Sequence, residues 1–526
     1  MTMAPRAPAA SRLARALRVL QRLHAAGSTV FRSGDFSRLE RTALRDNGYL
    51  QMVVKGWYIP ARPGDSPGDT TPWYASMQQF VAGYCEQRFG TQWHLSPADS
   101  LHVHAGATTL PPQVIVHARR GTNNVLYLPG GCSLVDYRAR EAPSDGRVTQ
   151  VDGLRLLTLP AALTRVPERF FATQPTDAQI ALSSISDASA LNRELLNGGH
   201  AVVGGRLAGA LRALGADHLA NEITSTLRAA GHAVHESNPF AATRPTMSRG
   251  SAPSPYIRRL EIMWAEMRGE VLARFPSPPA GDVEPEAYLA RVDTAYHTDA
   301  YHSLSIEGYR VTDALIARVA NGAWSPQAHA GDADAKAAMA AHGYWRAYNA
   351  VHTSLQHILR GENAGTVVAR THGTWYRELF APSVDAGLLP AASLAGYRDM
   401  PVYIRNAQHV PPPSTAARDM MPTFFELLTH EPNAAVRAVL GHFCFVFIHP
   451  YMDGNGRIGR FLMNAMLASG GYPWMVIPVE RRDEYIAALD SASALKNIVP
   501  FTVFLASCLS EPMPLSRDRV LYLQKG

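Results

Sequence analysis

Between Ala435 and Ser469 two apolar runs flank a polar turn, His449-Pro-Tyr-Met-Asp-Gly-Asn-Gly-Arg-Ile-Gly-Arg460, and few folds accommodate that order. In the leading run, Val436, Leu440, Phe443, Val446 and Phe447 recur at steps of three and four, which predicts a buried helix over 435–448. Pro450 and the Gly-Asn-Gly turn stop that helix. Arg457 to Ser469 then predicts a second helix, closed by Gly470 and Gly471. The rest of the C-terminal half has to be built around this hairpin of two buried helices.

A glycine turn that opens a helix is an anion site. Backbone N–H groups of Gly454, Asn455 and Gly456 can point at one oxyanion, and the helix N-terminus adds its positive end. Arg457 and Arg460 stand three apart, so both forks can face one phosphate-bearing ligand from the first turn. Asp453 is placed to hold a divalent cation through oxygen. His449 is the one group there that exchanges a proton near neutrality. A phosphate cradle, a metal ligand and a general base together point to phosphoryl or nucleotidyl transfer.

These residues resemble the signature of the Fic family, H-P-[FY]-x-D-G-N-G-R-x-x-R, with every position filled and Tyr451 in the aromatic slot. The resemblance implies a protein adenylyltransferase that moves AMP from ATP to a side-chain hydroxyl (Ser, Thr or Tyr) of a target protein. His449 would be its base, Asp453 its Mg²⁺ ligand, and Gly454, Asn455, Gly456, Arg457 and Arg460 its phosphate grip. Asn464 and Tyr485 resemble positions that contact the nucleoside. Other cargoes known in the family (UMP, phosphocholine, phosphate) and removal of AMP stay open. Gly454 argues against the phosphate-transferring branch, where a Lys commonly replaces this glycine.

Upstream, Ser303-Leu-Ser-Ile-Glu307-Gly308 resembles the family's inhibitory [ST]-x-x-x-E-[GN] motif. Ser303 and Glu307 share a helix face, and a carboxylate beside Arg460 would neutralise that arginine and repel a terminal phosphate. Met400 to Pro413 holds β-like residues, Val402, Tyr403, Ile404 and Arg405, then His409-Val410 after a polar turn. By resemblance it is a hairpin flap whose edge aligns a target segment by strand addition.

Composition adds the remaining partners. The chain has 50 Lys and Arg against 44 Asp and Glu. Residues 1–60 carry ten basic against three acidic residues, which leaves forty against forty-one in the remainder, so the whole excess is N-terminal. A helix over 11–25, a second around Phe36–Arg45 and a hairpin around Lys55-Gly56 outline a winged helix, with Arg38, Arg41 and Arg45 on the helix that reads DNA in such modules, and Lys55 in the wing. Gly48-Tyr-Leu50, Lys55-Gly-Trp-Tyr58 and Leu156-Leu-Thr-Leu-Pro-Ala-Ala-Leu163 resemble the abortive-infection type of transcriptional-regulator antitoxins.

Short β-like runs at 113–117, 124–128 and 154–159, then a helical stretch over 201–234, predict a small α+β unit. Gly204-Gly-Arg-Leu-Ala-Gly209 lacks a following Lys-Ser/Thr and reads as helix packing rather than a phosphate loop. The expected fold class is therefore multidomain: a winged helix (1–62), an α+β domain (63–237), a linker rich in Pro, Ser, Ala and Gly (238–255), and an all-α Fic fold with a β-hairpin flap (256–526). A DNA-binding regulator whose Fic half senses nucleotide is the alternative reading. The four cysteines form no C-x-x-C pair and suggest neither disulfides nor zinc. With no signal sequence or membrane span in the pattern, a cytoplasmic protein is expected, and homo-oligomerisation stays open.

Overall fold

The computed structural model describes residues 9–61, 63, 71–140, 145–240, 254–279, 283–322, 335–405 and 407–511. The chain divides into two compact units, Met1–Met247 with Tyr403–Val410, and Ser248–Val402 with Pro411–Gly526. The division falls inside the predicted linker 238–255, most of which (241–253) lies outside the described residues.

The first unit opens with α1 (Ala9–Ala25), β1 (Phe31–Arg32), α2 (Arg38–Asp46), β2 (Leu50–Val54) and β3 (Trp57–Pro60). A capping box starts α2: Ser37 Oγ accepts from the Glu40 amide, and the Glu40 carboxylate accepts from the Ser37 amide. The three strands pair antiparallel in the order β1-β3-β2, and β2 turns into β3 at Lys55-Gly56. Side chains alternate across a strand. Tyr58 therefore joins Ala16, Leu20, Phe31, Phe36 and Leu44 on one face. Trp57 and Ile59 face the other way, against Trp73, Phe80 and Val81. One strand serves two cores, which is why the chain does not separate at residue 62.

After α3 (Thr71–Phe89) come β4 (Trp93–Leu95), α4 (Pro97–His104), β5 (Gln113–Ala118), β6 (Val125–Tyr127) and β7 (Ser133–Arg138). They form a sheet in the order β4-β5-β7-β6, with β5 and β7 parallel. A hairpin of β8 (Val148–Val151) and β9 (Leu154–Leu157) leads into α5 (Leu159–Arg165), α6 (Arg169–Thr173), α7 (Pro175–Ser183), α8 (Ser189–Gly198), α9 (Ala201–Ala213) and α10 (Asp217–Ala229). Gly205 and Gly209 lie inside α9, where a β-carbon would strike the carbonyls of His235 and Ser237. They are packing glycines, as their sequence context indicates.

The hairpin flap expected over Val402, Tyr403 and Ile404 is absent from the described residues, which form no strand there. Residues Tyr403–Val410 instead belong to the first unit. There the Val410 amide donates to the Thr108 carbonyl at 2.7 Å, His409 and Thr109 form a single bridge, and the Tyr403 hydroxyl donates to the Ala75 carbonyl. Prolines at 401 and 411–413 shorten any ladder.

The second unit is helical: α11 (Pro255–Arg274), α12 (Pro285–Ile306), α13 (Asp313–Ala320), α14 (Ala335–Leu359), α15 (Ala364–Asp385), α16 (Ser414–His430), α17 (Ala434–Ile448), α18 (Asn455–Ala468), α19 (Arg482–Leu495) and α20 (Val499–Ser510). The predicted hairpin is its centre. All of α17 from Ala435 to Ile448 is buried except Arg437 and Val446, and α18 is buried from Arg457 to Ala468. Gly459 permits the close crossing, since a β-carbon there would meet the His442 ring. Among the described residues no helix is long and apolar enough to cross a membrane.

Candidate active site

The end of α17 sets the geometry of His449. This residue caps the helix in the left-handed conformation, φ 52° and ψ 58°, which costs a side chain with a β-carbon roughly 1–2 kcal/mol. Neighbouring groups hold it there. The His449 amide donates to the Phe445 carbonyl, and Arg398 Nε donates to the His449 carbonyl at 2.7 Å. On the ring, Nδ1 lies 3.1 Å from the Val446 carbonyl. A carbonyl only accepts, so Nδ1 carries the proton and Nε2 keeps its lone pair. Burial lowers the imidazole pKa to about 4, helped by the Arg398 charge and opposed by Glu307 and Asp453. The ring is a neutral base at pH 7.

The loop that follows is tied off by Asn455, whose side chain accepts from the Tyr451 amide and donates to the Tyr451 carbonyl, both at 2.9 Å. Gly454 (φ 82°) makes the left-handed step into α18, a conformation open to glycine. Its amide donates to Asp453 Oδ1. Of the three amides expected in the cradle, that of Gly454 is thus bonded to its neighbour. The amides of Asn455, Gly456 and Arg457 form the first turn of α18 and have no acceptor within the helix.

A carboxylate stands over that turn. A β-carbon on Gly456 would collide with Glu307 Oε1. Glu307 caps α12, and Gly308 (φ 84°) turns the chain away, as the sequence suggests. Arg460 Nη2 donates to Glu307 Oε1 at 2.8 Å and to the Ser303 carbonyl at 3.0 Å, while Nε donates to Ser303 Oγ at 2.9 Å. The remaining nitrogen, Nη1, is buried without an acceptor and faces the same spot over Gly456. Burial works most strongly against the Arg460 charge, but Glu307, Tyr485 and Tyr344 together raise the guanidinium pKa.

Arg457 is 1 % exposed and lies between the rings of Tyr309 and Phe380, 5.2 Å from each centroid. It donates to Asp453 Oδ1, and its Nε has no acceptor. The unpaired Arg460 Nη1 beside the first-turn amides of α18 is what an oxyanion would satisfy. The Asp453 side chain is 63 % exposed. Among the described residues only its Oδ1 is hydrogen-bonded, which leaves Oδ2 for a cation.

Two residues expected at the nucleoside make contacts within the protein. Asn464 is buried and clamps the chain after α18, accepting from the Met475 amide at 2.7 Å and donating to the Met475 carbonyl at 2.9 Å. Tyr485 is buried among His442, Phe501 and Phe504, its hydroxyl 2.7 Å from His442 Nε2. Asn464→Ala leaves two backbone groups unpaired at about 1–3 kcal/mol each. We expect it to lower the unfolding temperature of the protein in a thermal scan, and a wild-type melting curve would contradict that role.

Tyr309, Phe380 and Arg398 belong to the site but carry no local signal, since each reaches it from a different helix or loop. Beneath it, buried Asp299 accepts from the Tyr344 hydroxyl at 2.6 Å, one turn before Ser303. Burial pushes its carboxyl up to about 6 against that hydrogen bond and the Arg460 charge.

The basic residues of the first unit divide. Arg38, Arg45 and Lys55 are exposed. Arg41 instead donates to the Ser33 carbonyl at 2.7 Å and lies over the Tyr58 ring, so it braces the fold.

A helix-turn-helix anion cradle with a neutral histidine beside it can bind a phosphate group and accept a proton. Residues 370–467 match the Fic/DOC family, and the C-terminal half carries a Fic domain. The proteins named Protein adenylyltransferase Fic of Drosophila willistoni and Drosophila virilis are each 36 % identical over 123 residues, 23 % of this chain and 24 % or 25 % of theirs. The chain thus spans about a quarter of the length of the curated relatives it matches. A solved structure of Fic-1 from C. elegans is 16 % identical, covering 70 % of this chain and 88 % of its own at a TM-score of 0.37.

Proposed function

We propose that the C-terminal unit is a protein adenylyltransferase held back by its own Glu307. The observation that carries this reading is the convergence of the α18 amides and the unpaired Arg460 Nη1 on a point now held by a carboxylate oxygen. A nucleotide phosphate is the anion that would replace it. The hydroxyl oxygen of a target side chain bonds to the α-phosphorus of ATP, the bond from that phosphorus to the bridging oxygen breaks, and pyrophosphate leaves. His449 Nε2 takes the hydroxyl proton. The amides at the start of α18 hold the charge that develops on the phosphate, and Arg460 and Arg457 orient the outer phosphates. Asp453 would hold Mg²⁺, which supplies charge neutralisation along the phosphate chain. The named relatives support AMP as cargo.

Intact-mass measurement after incubation with Mg²⁺ and ATP tests this reading. An AMP-sized addition to the protein or a target supports it. A different adduct mass would move the assignment to another cargo, and loss of AMP from a modified target would move it to the reverse reaction.

A second activity is favoured by the outward face of α2, where Arg38, Thr42 and Arg45 are exposed on a helix held by a capping box beside a β2–β3 wing. We infer a DNA-binding module. Neutralising two phosphate contacts lowers the slope of log affinity against log salt by about 1.8. Arg38→Ala with Arg45→Ala should show that reduction in a binding titration, while equal loss at every salt concentration would argue against phosphate contacts.

A further inference from the structure

We propose that Arg398 is the positioning residue for His449, locking the reactive histidine and both ends of the 400–412 loop into one arrangement. The inference rests on the transfer reading given above. Arg398 is 2 % exposed, yet it lies outside the signature, 51 residues before His449. Its guanidinium serves three carbonyls. Nε donates to that of His449 at 2.7 Å, Nη1 to that of Met400 at 3.1 Å, and Nη2 to that of Pro412. Its own amide donates to the Pro450 carbonyl at 2.9 Å.

These bonds act at the one place in the site where the backbone is left-handed without being glycine. A histidine there has an intrinsic preference to leave that conformation. Leaving it would rotate the His449 carbonyl away from Arg398 and swing the imidazole off its line to the nucleotide. The planar fork suits the task, since three donors in a fixed geometry cannot follow three carbonyls that move independently. A lysine at this position keeps the charge and has one nitrogen to offer, so it can hold only part of the set.

Kinetics should be read in the Glu307→Gly background, where the cradle is open. Arg398→Met should lower kcat for AMP transfer by about a hundredfold, the penalty of a misplacement near 1 Å. KM for ATP should stay within a few-fold, because the cradle belongs to α18 and Arg460. Arg398→Lys should recover part of kcat. Amide hydrogen exchange supplies a readout independent of turnover: in Arg398→Met, peptides covering 399–412 and 446–451 should both exchange faster while α14 stays protected. Unchanged exchange at 446–451, or kcat and KM worsening together with general loss of protection, would overturn the assignment. Absence of transfer in every variant, with the exchange pattern as expected, would sink the transfer reading and leave the clamp standing.

Discussion

Glu307→Gly should raise AMP incorporation from Mg²⁺-ATP by about ten- to a hundredfold, since one charge-assisted hydrogen bond is worth about 1.5–3 kcal/mol and about 1.4 kcal/mol is a factor of ten. The reason is competition for one position. Glu307 Oε1 sits above Gly456 and holds Arg460 Nη2, where a phosphate oxygen would take both. A carboxylate there also repels a phosphate directly. Glu307→Gln removes the charge and keeps the volume, so it should fall between wild type and glycine. The same change leaves the buried Arg460 charge without its carboxylate. The glycine variant should therefore melt at a lower temperature than wild type, and ATP should restore more of its stability than it does for wild type. Equal labelling of wild type and variant would remove Glu307 as the brake.

His449→Ala should lower transfer by about a hundred- to ten-thousandfold, the range of a lost general base. Nucleotide affinity should barely change, because no cradle donor is touched. The pH dependence has a definite sign. The imidazole must be neutral to accept a proton, and burial holds its pKa at about 4. Transfer per encounter with the free protein should stay flat from pH 7 down to 5 as far as this group is concerned, and fall as pH drops through about 4. An acid limb centred at the ordinary histidine value would mean that the ring is solvated in the working enzyme. A His449→Ala protein as active as its parent would remove the base altogether.

The parts of this protein that could be read before folding are those whose partners lie close in sequence. Val436 to Phe447 announce α17 by spacing, and the turn from His449 to Arg460 carries its chemistry within a dozen residues. Glu307 was legible because its motif predicts which arginine it meets, and the 2.8 Å bond to Arg460 is found. Long-range partners left no such trace. Arg398 looks like any loop arginine until Met400, Pro412 and His449 are brought to it. Asn464 and Tyr485 are expected at the nucleoside by resemblance alone, and their contacts with Met475 and His442 are set by packing.

Helix α15 leaves a weak trace in the sequence for a related reason. Gly365, Gly373 and Pro382 interrupt its pattern, yet Gly365 is there because the backbone of Leu428 and Thr429 passes against it. The C-terminal part of helix α12 carries Thr298, Asp299, His302 and Ser303, polar residues that the fold buries. The flap residues have high strand propensity, but prolines on both sides of them limit the ladder they can form.

The account stands on the claim that the nucleotide and Glu307 compete for the first turn of α18. A crystal structure of the Glu307→Gly protein with ATP and Mg²⁺ addresses this directly. The account predicts a phosphate oxygen over Gly456, within hydrogen-bonding distance of Arg460 Nη1 and the amides of Asn455–Arg457, with the α-phosphorus facing His449 Nε2. Nucleotide bound elsewhere, with that turn vacant and Arg460 turned away, would contradict it.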